Sequence, residues 1–143
     1  MYDLERITKR IVDIEKYKKD LSTLNIKSKK DLSALEKYHS ASMLYFAIMN
    51  RVIDLGGEIL IKENLGMHSR YSEMFDKLSK AGLVNSKESE ELKNLVKYRN
   101  IIAHTYFDLS EEDIWKLINK MDIIDKFIEK IKKRVRKWII NLS

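Results

Sequence analysis

Residues 110–138 read SEEDIWKLINKMDIIDKFIEKIKKRVRKW, and this stretch has the clearest periodicity in the chain. Its apolar residues recur at alternating intervals of three and four, which places them along one face of a helix. These residues are Ile114, Leu117, Met121, Ile124, Ile128, Ile131, Val135 and Trp138. Ser110 precedes three acidic residues, which is typical of a helix N-terminus. We therefore predict one long unbroken helix, packed in a bundle or against a second copy.

The rest of the chain also has helical patterns. An apolar seam predicts a first helix from about Tyr2 to Leu24, and Ser28 with Asp31 resembles a capping box that opens a longer second helix. The pair Gly56–Gly57 falls inside that second helix. It indicates either a kink between two helices or a close approach of another helix, for instance at a dimer axis; the pattern leaves both open.

Composition favours a single all-α domain. The chain has 143 residues, no proline and four glycines, so long helices are favoured over a β-rich fold with tight turns. We predict an up-and-down helical bundle of about five helices over residues 1–143. Cysteine is absent, and the three histidines lack the spacing of metal-binding motifs. We therefore expect no metal site and no cofactor.

The charge balance is basic, with a formal net charge of +6 and a pI near 9.3. Two interpretations remain open: a surface that attracts an anionic partner such as RNA, or Lys and Glu side chains that keep a helical protein in solution. The same alternatives apply to the basic residues 130–137. The first residues contain no apolar run typical of a signal peptide, and no segment has the ~20 apolar residues of a membrane span. We expect a cytoplasmic protein with no membrane partner.

A polar motif follows a fourth amphipathic helix that is predicted to start near Ser86. Residues 99–106 read RNIIAHTY. On a straight α-helix Arg99 and His104 lie about 140° apart, so one helix cannot aim both at one substrate. Either the helix ends or distorts between them, or two copies of the segment face each other across a two-fold axis. We expect both, and the second predicts a homodimer with composite sites.

These residue types suit cleavage of a phosphodiester without a metal. The ordinary pKa of histidine lies near neutrality, so His104 can take a proton from an RNA 2′-hydroxyl. Arg99 presents a planar set of donors to phosphate oxygens. Asn100 could orient the substrate or the imidazole. The alternative is that Arg99 and His104 are surface cations that complement the C-terminal end of a helix dipole.

The motif resembles that of a known family. Arg99-Asn100-x3-His104-x-Tyr106 is similar to the R-x4-H-x-Y motif of HEPN-domain toxins of the HepT family. The segment from Tyr71 to Val84 is similar to a second conserved block of that family, and the segment from Ser40 to Leu55 is similar to its long central helix. The resemblance covers roughly residues 35–125 in consistent order. One departure is that the family often has a proline before Ser-Tyr-Arg, whereas residues 67–71 here read MHSRY.

The resemblance implies a ribonuclease toxin of a type VII toxin–antitoxin system. It implies that Arg99 and His104 are catalytic, that Asn100 and Asp54 are accessory, and that Tyr106 is AMPylated. The modifying partner would be a minimal nucleotidyltransferase of the MNT type, which acts as the antitoxin. Two other functions stay open: a non-catalytic HEPN adaptor that presents substrate to a nucleotidyltransferase, and a purely structural bundle.

Overall fold

The computed structural model describes residues 2–105 and 109–142, and the side chains of residues 4–105 and 109–139. This part of the chain forms six α-helices, one short 3₁₀ helix and no strand, so the predicted all-α bundle is confirmed. The elements are α1 (Tyr2–Thr23), the 3₁₀ helix (Lys29–Ser33), α2 (Leu35–Lys62), α3 (Tyr71–Lys80), α4 (Ser86–Thr105), α5 (Glu111–Ile118) and α6 (Met121–Leu142). None of the described helices is long and apolar enough to cross a bilayer.

The α1–α2 hairpin is antiparallel, with a register marked by charged side chains. The ion pairs are Arg6–Glu58 (2.9 Å), Arg10–Asp54 (3.7 Å) and Arg51–Asp13 (3.0 Å). From one pair to the next, the residue numbers increase along α1 and decrease along α2. The two partners of each pair therefore lie opposite each other across the interface of the two helices. These partly buried pairs disfavour a shifted register because a shift would bring like charges together. Burial of the apolar faces supplies most of the packing energy.

Helix α2 runs without a break through Gly56 and Gly57. A Cβ atom on Gly56 would lie 2.6 Å from Cε of Met74 in α3, whereas a Cβ on Gly57 would meet nothing within 4 Å. Of the two alternatives for this pair, the structure therefore supports close helix approach and not a kink. The approaching helix is α3 of the same chain, which this glycine lets come close to α2.

The two glycines should respond oppositely to alanine. Gly57→Ala should stabilise the fold by about 0.5–1 kcal/mol because alanine favours the helix and no neighbour obstructs the methyl group. Gly56→Ala should be less stable than Gly57→Ala by about 1–3 kcal/mol, since the fully buried Met74 must move in a packed core. Urea unfolding of both variants measures the difference. Equal midpoints would show that the Met74 side chain moves aside at no cost, which would contradict the prediction.

The prediction of one unbroken helix over residues 110–138 is wrong. A turn at Asn119–Lys120 separates α5 from α6. The side-chain amide of Asn119 donates to the carbonyl oxygen of Trp115 at 2.8 Å, and the backbone N–H of Lys120 bonds to the Leu117 carbonyl at 3.1 Å. These bonds close the last turn of α5, so α5 can pack on α2 while α6 packs on α4. The predicted cap is confirmed, because the Asp113 N–H donates to Ser110 Oγ at 3.1 Å.

Much of the basic charge at the end of α6 is used within the molecule. Lys132 pairs with Glu15 of α1 at 3.2 Å, and Lys130 and Arg134 pair with Glu88 and Glu63. Burial acts to raise the pKa of the Glu88 carboxyl, but hydrogen bonds from Lys130 and a backbone N–H outweigh it, so this pKa lies below its ordinary value. These cations tie α6 to α1, to α4 and to the residue that follows the C-terminal end of α2.

Candidate functional site

Helix α4 carries the whole described part of the polar motif. The helix begins with a reciprocal cap, in which the Glu88 N–H donates to Asn85 Oδ1 at 2.8 Å and the Asn85 N–H donates to Glu88 Oε1 at 2.9 Å. It then runs through Arg99 and His104 to Thr105. The expectation that the helix ends or distorts between Arg99 and His104 is therefore wrong. Residues 99–105 contain neither glycine nor proline, and the buried Ile102 anchors this turn in the core.

The guanidinium of Arg99 is held at the junction of α2, α3 and α4. Its Nε donates to Oδ1 of Asn50 at 2.8 Å, and its Nη1 donates to Oδ1 of Asn100 at 3.0 Å. Its central carbon lies 5.1 Å from the ring centre of Phe46 and 5.6 Å from that of Tyr71. Two amides and two rings thus fix both the position and the plane of the cation. This is the pre-organisation that stabilisation of a charged transition state requires.

His104 lies on a different face of α4, in an open groove of about 920 Å³. One wall is formed by residues 68–72, which are the loop before α3 and its first turn. The other wall is a stripe along α4 that includes Lys93, Lys97, Asn100 and His104. His104 is exposed there, so a substrate can reach its imidazole. None of the described residues that line the groove is acidic.

Asn100 connects the two parts of the motif. Its side chain accepts the Arg99 hydrogen bond, and it also lines the groove that contains His104. In the described chain Arg99 and His104 make no hydrogen bond to each other, and Arg99 is not among the groove residues. One chain therefore brings together Arg99, Asn50 and Asn100, and separately Asn100 and His104.

The structure gives Asp54 other neighbours than the motif. Asp54 lies one turn after Asn50 on α2, where its carboxylate pairs with Arg51 at 3.1 Å and with Arg10 at 3.7 Å. It makes no hydrogen bond or ion pair with Arg99, and its accessory role stays a prediction. The residue that sequence analysis missed is Asn50. It is the only Asn or Gln in α2, and it follows an apolar run. This pattern is the sequence signal from which a role for Asn50 could have been predicted.

Two further predictions depend on residues around this site. Tyr106, the predicted site of AMPylation, lies outside the described residues. Among the residues that are described, no group of three His, Cys, Asp or Glu side chains is placed to hold a metal ion.

The sequence of the chain matches the family model described as ribonuclease HepT-like over residues 7–133. The chain belongs to this HepT-like ribonuclease family. The match spans the α1–α2 hairpin, the groove and the motif on α4. The family resemblance that the motif indicated is thus confirmed, and ribonuclease is the class of activity that the family carries. Comparison with curated protein sequences gave no match.

Solved structures with the same fold include members of toxin–antitoxin complexes. A tri-AMPylated HEPN toxin of Shewanella oneidensis, in complex with an MNT antitoxin, has a TM-score of 0.83 at 21% identity and covers 90% of this chain and 97% of its own. A toxin–antitoxin structure with AMP-PNP has a TM-score of 0.82 at 20% identity over 90% and 98% of the two chains. The cytosolic protein YutE of Bacillus subtilis, described as of unknown function, has a TM-score of 0.81 at 19% identity over 94% and 92%. At these identities the likeness shows that this HepT-like chain has the HEPN fold.

Proposed function

We propose that this chain is a metal-independent endoribonuclease toxin of a HepT/MNT toxin–antitoxin system, with Arg99 and His104 as its catalytic residues. One observation carries the proposal: two amides and two aromatic rings hold Arg99 in place, and one of those amides, Asn100, also lines the groove in which His104 is exposed. We call the four side chains that hold it, which are those of Phe46, Asn50, Tyr71 and Asn100, the frame of Arg99. An arginine that only faces solvent would not need them. Membership of the HepT-like family supports the same activity.

The proposed reaction uses the RNA itself as the nucleophile. His104 takes the proton of a 2′-hydroxyl, and the 2′-oxygen attacks the adjacent phosphorus. The bond from phosphorus to the 5′-oxygen breaks, and that oxygen gains a proton from solvent, which leaves a 2′,3′-cyclic phosphate and a 5′-hydroxyl. Arg99 stabilises the negative charge that develops on the phosphate oxygens. Asn100 keeps the guanidinium plane aligned beside the groove.

We propose further that a second copy completes each site. Because α4 is continuous, Arg99 and His104 of one chain point in directions about 140° apart. Beside Arg99, α2 presents Met43, Phe46 and Ala47 on one stripe; Met43 is 50% exposed and the other two are half-buried. This apolar stripe supports a two-fold contact that would bring His104 of the second copy to Arg99.

The activity has a direct test. Purified protein is incubated with single-stranded RNA in EDTA, and the cut ends are identified. We expect cyclic phosphate and 5′-hydroxyl ends, and a rate about 10²–10⁴-fold lower for His104→Ala. Lys30→Ala removes an exposed cation of the 3₁₀ helix and serves as the control. Cleavage that EDTA abolishes and Mg²⁺ restores would contradict metal independence. No cleavage by the wild type, with a nucleotidyltransferase still bound, would indicate the adaptor.

The proposed off-switch is AMPylation of Tyr106 by a partner nucleotidyltransferase. A bulky anion two residues beyond His104 would block the groove and oppose binding of phosphate. After co-expression with that partner, mass spectrometry should find one or more AMP units on the peptide that contains Tyr106, and Tyr106→Phe should prevent them. Suppressed cleavage with an unmodified peptide would mean that the partner acts by sequestration.

A further inference from the structure

The stripe along α4 extends the site beyond its motif. Lys93, Lys97, Asn100 and His104 are spaced by four, three and four residues, so they lie on one face of the helix and line one groove. Lys97 is about 10 Å from His104 along the helix axis. A nucleic acid strand that placed its reacting phosphate at His104 would therefore carry a neighbouring phosphate towards Lys97.

The cations of this groove differ in whether their charge is already balanced. Lys93 pairs with Asp76 of α3 and with Glu90 at 3.0 Å, and these hydrogen bonds raise its pKa, with that from Asp76 the larger cause. In the described part of the chain, Lys97 and Arg70 have no carboxylate within 4 Å. Both are exposed and stand on opposite walls of the groove.

Among the residues that the structure describes, the fold therefore leaves two cations without a carboxylate partner in a groove with no acidic lining, although the chain contains 22 Asp and Glu side chains. Elsewhere many of its cations are paired, as along the α1–α2 hairpin and at the end of α6. Cations that face each other across an open groove repel one another, and a bound anion relieves that repulsion. An open groove with two such cations suits a strand that carries phosphates.

We propose that Lys97 and Arg70 form a phosphate-binding subsite for single-stranded RNA, next to the bond that is cleaved at His104. The proposal rests on the ribonuclease function proposed above. The strand would lie along α4, with His104 at one phosphate and Lys97 with Arg70 around another. Such contacts would supply affinity and register without reading the base sequence.

The test measures binding separately from cleavage. The ligand is a single-stranded oligonucleotide with 2′-O-methyl groups throughout, which cannot be cut by 2′-oxygen attack, and its affinity is measured over a series of salt concentrations. Lys97→Gln and Arg70→Gln should each weaken binding about three- to tenfold at low salt. Each should also reduce the slope of log K against log salt by about 0.7, as expected for one lost phosphate contact on a single strand.

Two control variants define the effect. Lys30→Gln removes the same charge from an exposed position in the 3₁₀ helix, outside the groove, and should leave the slope unchanged. Lys97→Arg keeps the charge and should restore binding. All these side chains are exposed, so the substitutions should leave the fold intact, which thermal unfolding verifies.

The outcomes separate the subsite from the ribonuclease function. If the wild type does not bind the oligonucleotide, or if Lys97→Gln and Arg70→Gln behave like Lys30→Gln, the subsite is overturned, even where the wild type cuts RNA. If the two variants weaken association with a nucleotidyltransferase but not with RNA, the groove belongs to a protein partner and the subsite is again overturned. Binding that depends on Lys97 in a protein that cuts no RNA would support the subsite and refute the proposed activity.

Discussion

A mixture of two inactive variants should regain about a quarter of the wild-type activity. Arg99→Ala and His104→Ala should each be inactive alone. After subunit exchange at equal amounts, half of the dimers contain one copy of each variant. If each site takes Arg99 from one chain and His104 from the other, one of the two sites in such a dimer is intact. The rate of RNA cleavage before and after exchange measures the recovery.

The physical reason is the uninterrupted α4. A helix that does not bend between Arg99 and His104 directs the two side chains about 140° apart, so in the proposed dimer the partner subunit supplies one of them. As a control, either variant mixed with the double variant Arg99→Ala/His104→Ala should recover nothing, because no site then holds both groups. Full exchange, verified by mass spectrometry of tagged chains, without recovered cleavage would place both residues of each site in one subunit.

Replacing Arg99 with lysine should lower kcat for RNA cleavage by about 10²–10³-fold, although the charge is kept. The ammonium group of lysine cannot bond to both Asn50 and Asn100 while lying over the two rings as the planar guanidinium does. Its donors would therefore no longer match the phosphate oxygens on which negative charge develops. Asn50→Ala should also lower kcat, but by a smaller factor than Arg99→Lys, because it removes only one of the hydrogen bonds that position Arg99.

The control for this prediction is Arg136→Lys, the same exchange at an exposed position on α6, which should leave kcat unchanged. Thermal unfolding of each variant checks that the bundle is intact. An Arg99→Lys protein with kcat within about threefold of the wild type would mean that only the charge matters and that the frame around Arg99 is structural.

Local patterns predicted most of the elements of this fold. The cap at Ser110, the apolar seam of α1 and the start of α4 near Ser86 follow from short-range rules, and the structure has these elements. The break at Asn119–Lys120 was missed because the heptad spacing continues across it. The different partners of α5 and α6 favour a turn there, and that preference is tertiary.

The site was predicted less completely than the fold. The spacing of Arg99 and His104 could be read from the sequence. That α4 stays helical through both residues could not be predicted from it. Asn50 lies 49 positions from Arg99, and its role depends on which faces of α2 and α4 meet. The groove likewise depends on how α3 packs, which Gly56 and Met74 determine. Short-range sequence rules cannot predict contacts between residues that lie so far apart in the chain.

The continuous helix also explains why four residues separate the arginine from the histidine. Insertion or deletion of one residue in that interval would turn His104 by about 100° and shift it by about 1.5 Å along the axis. The imidazole would leave the groove, while Arg99 would keep its frame on α2 and α3. The side chains in the interval can vary as far as their own contacts permit. In the proposed site the pitch of the helix fixes the length of this interval, so a single insertion or deletion here should abolish RNA cleavage.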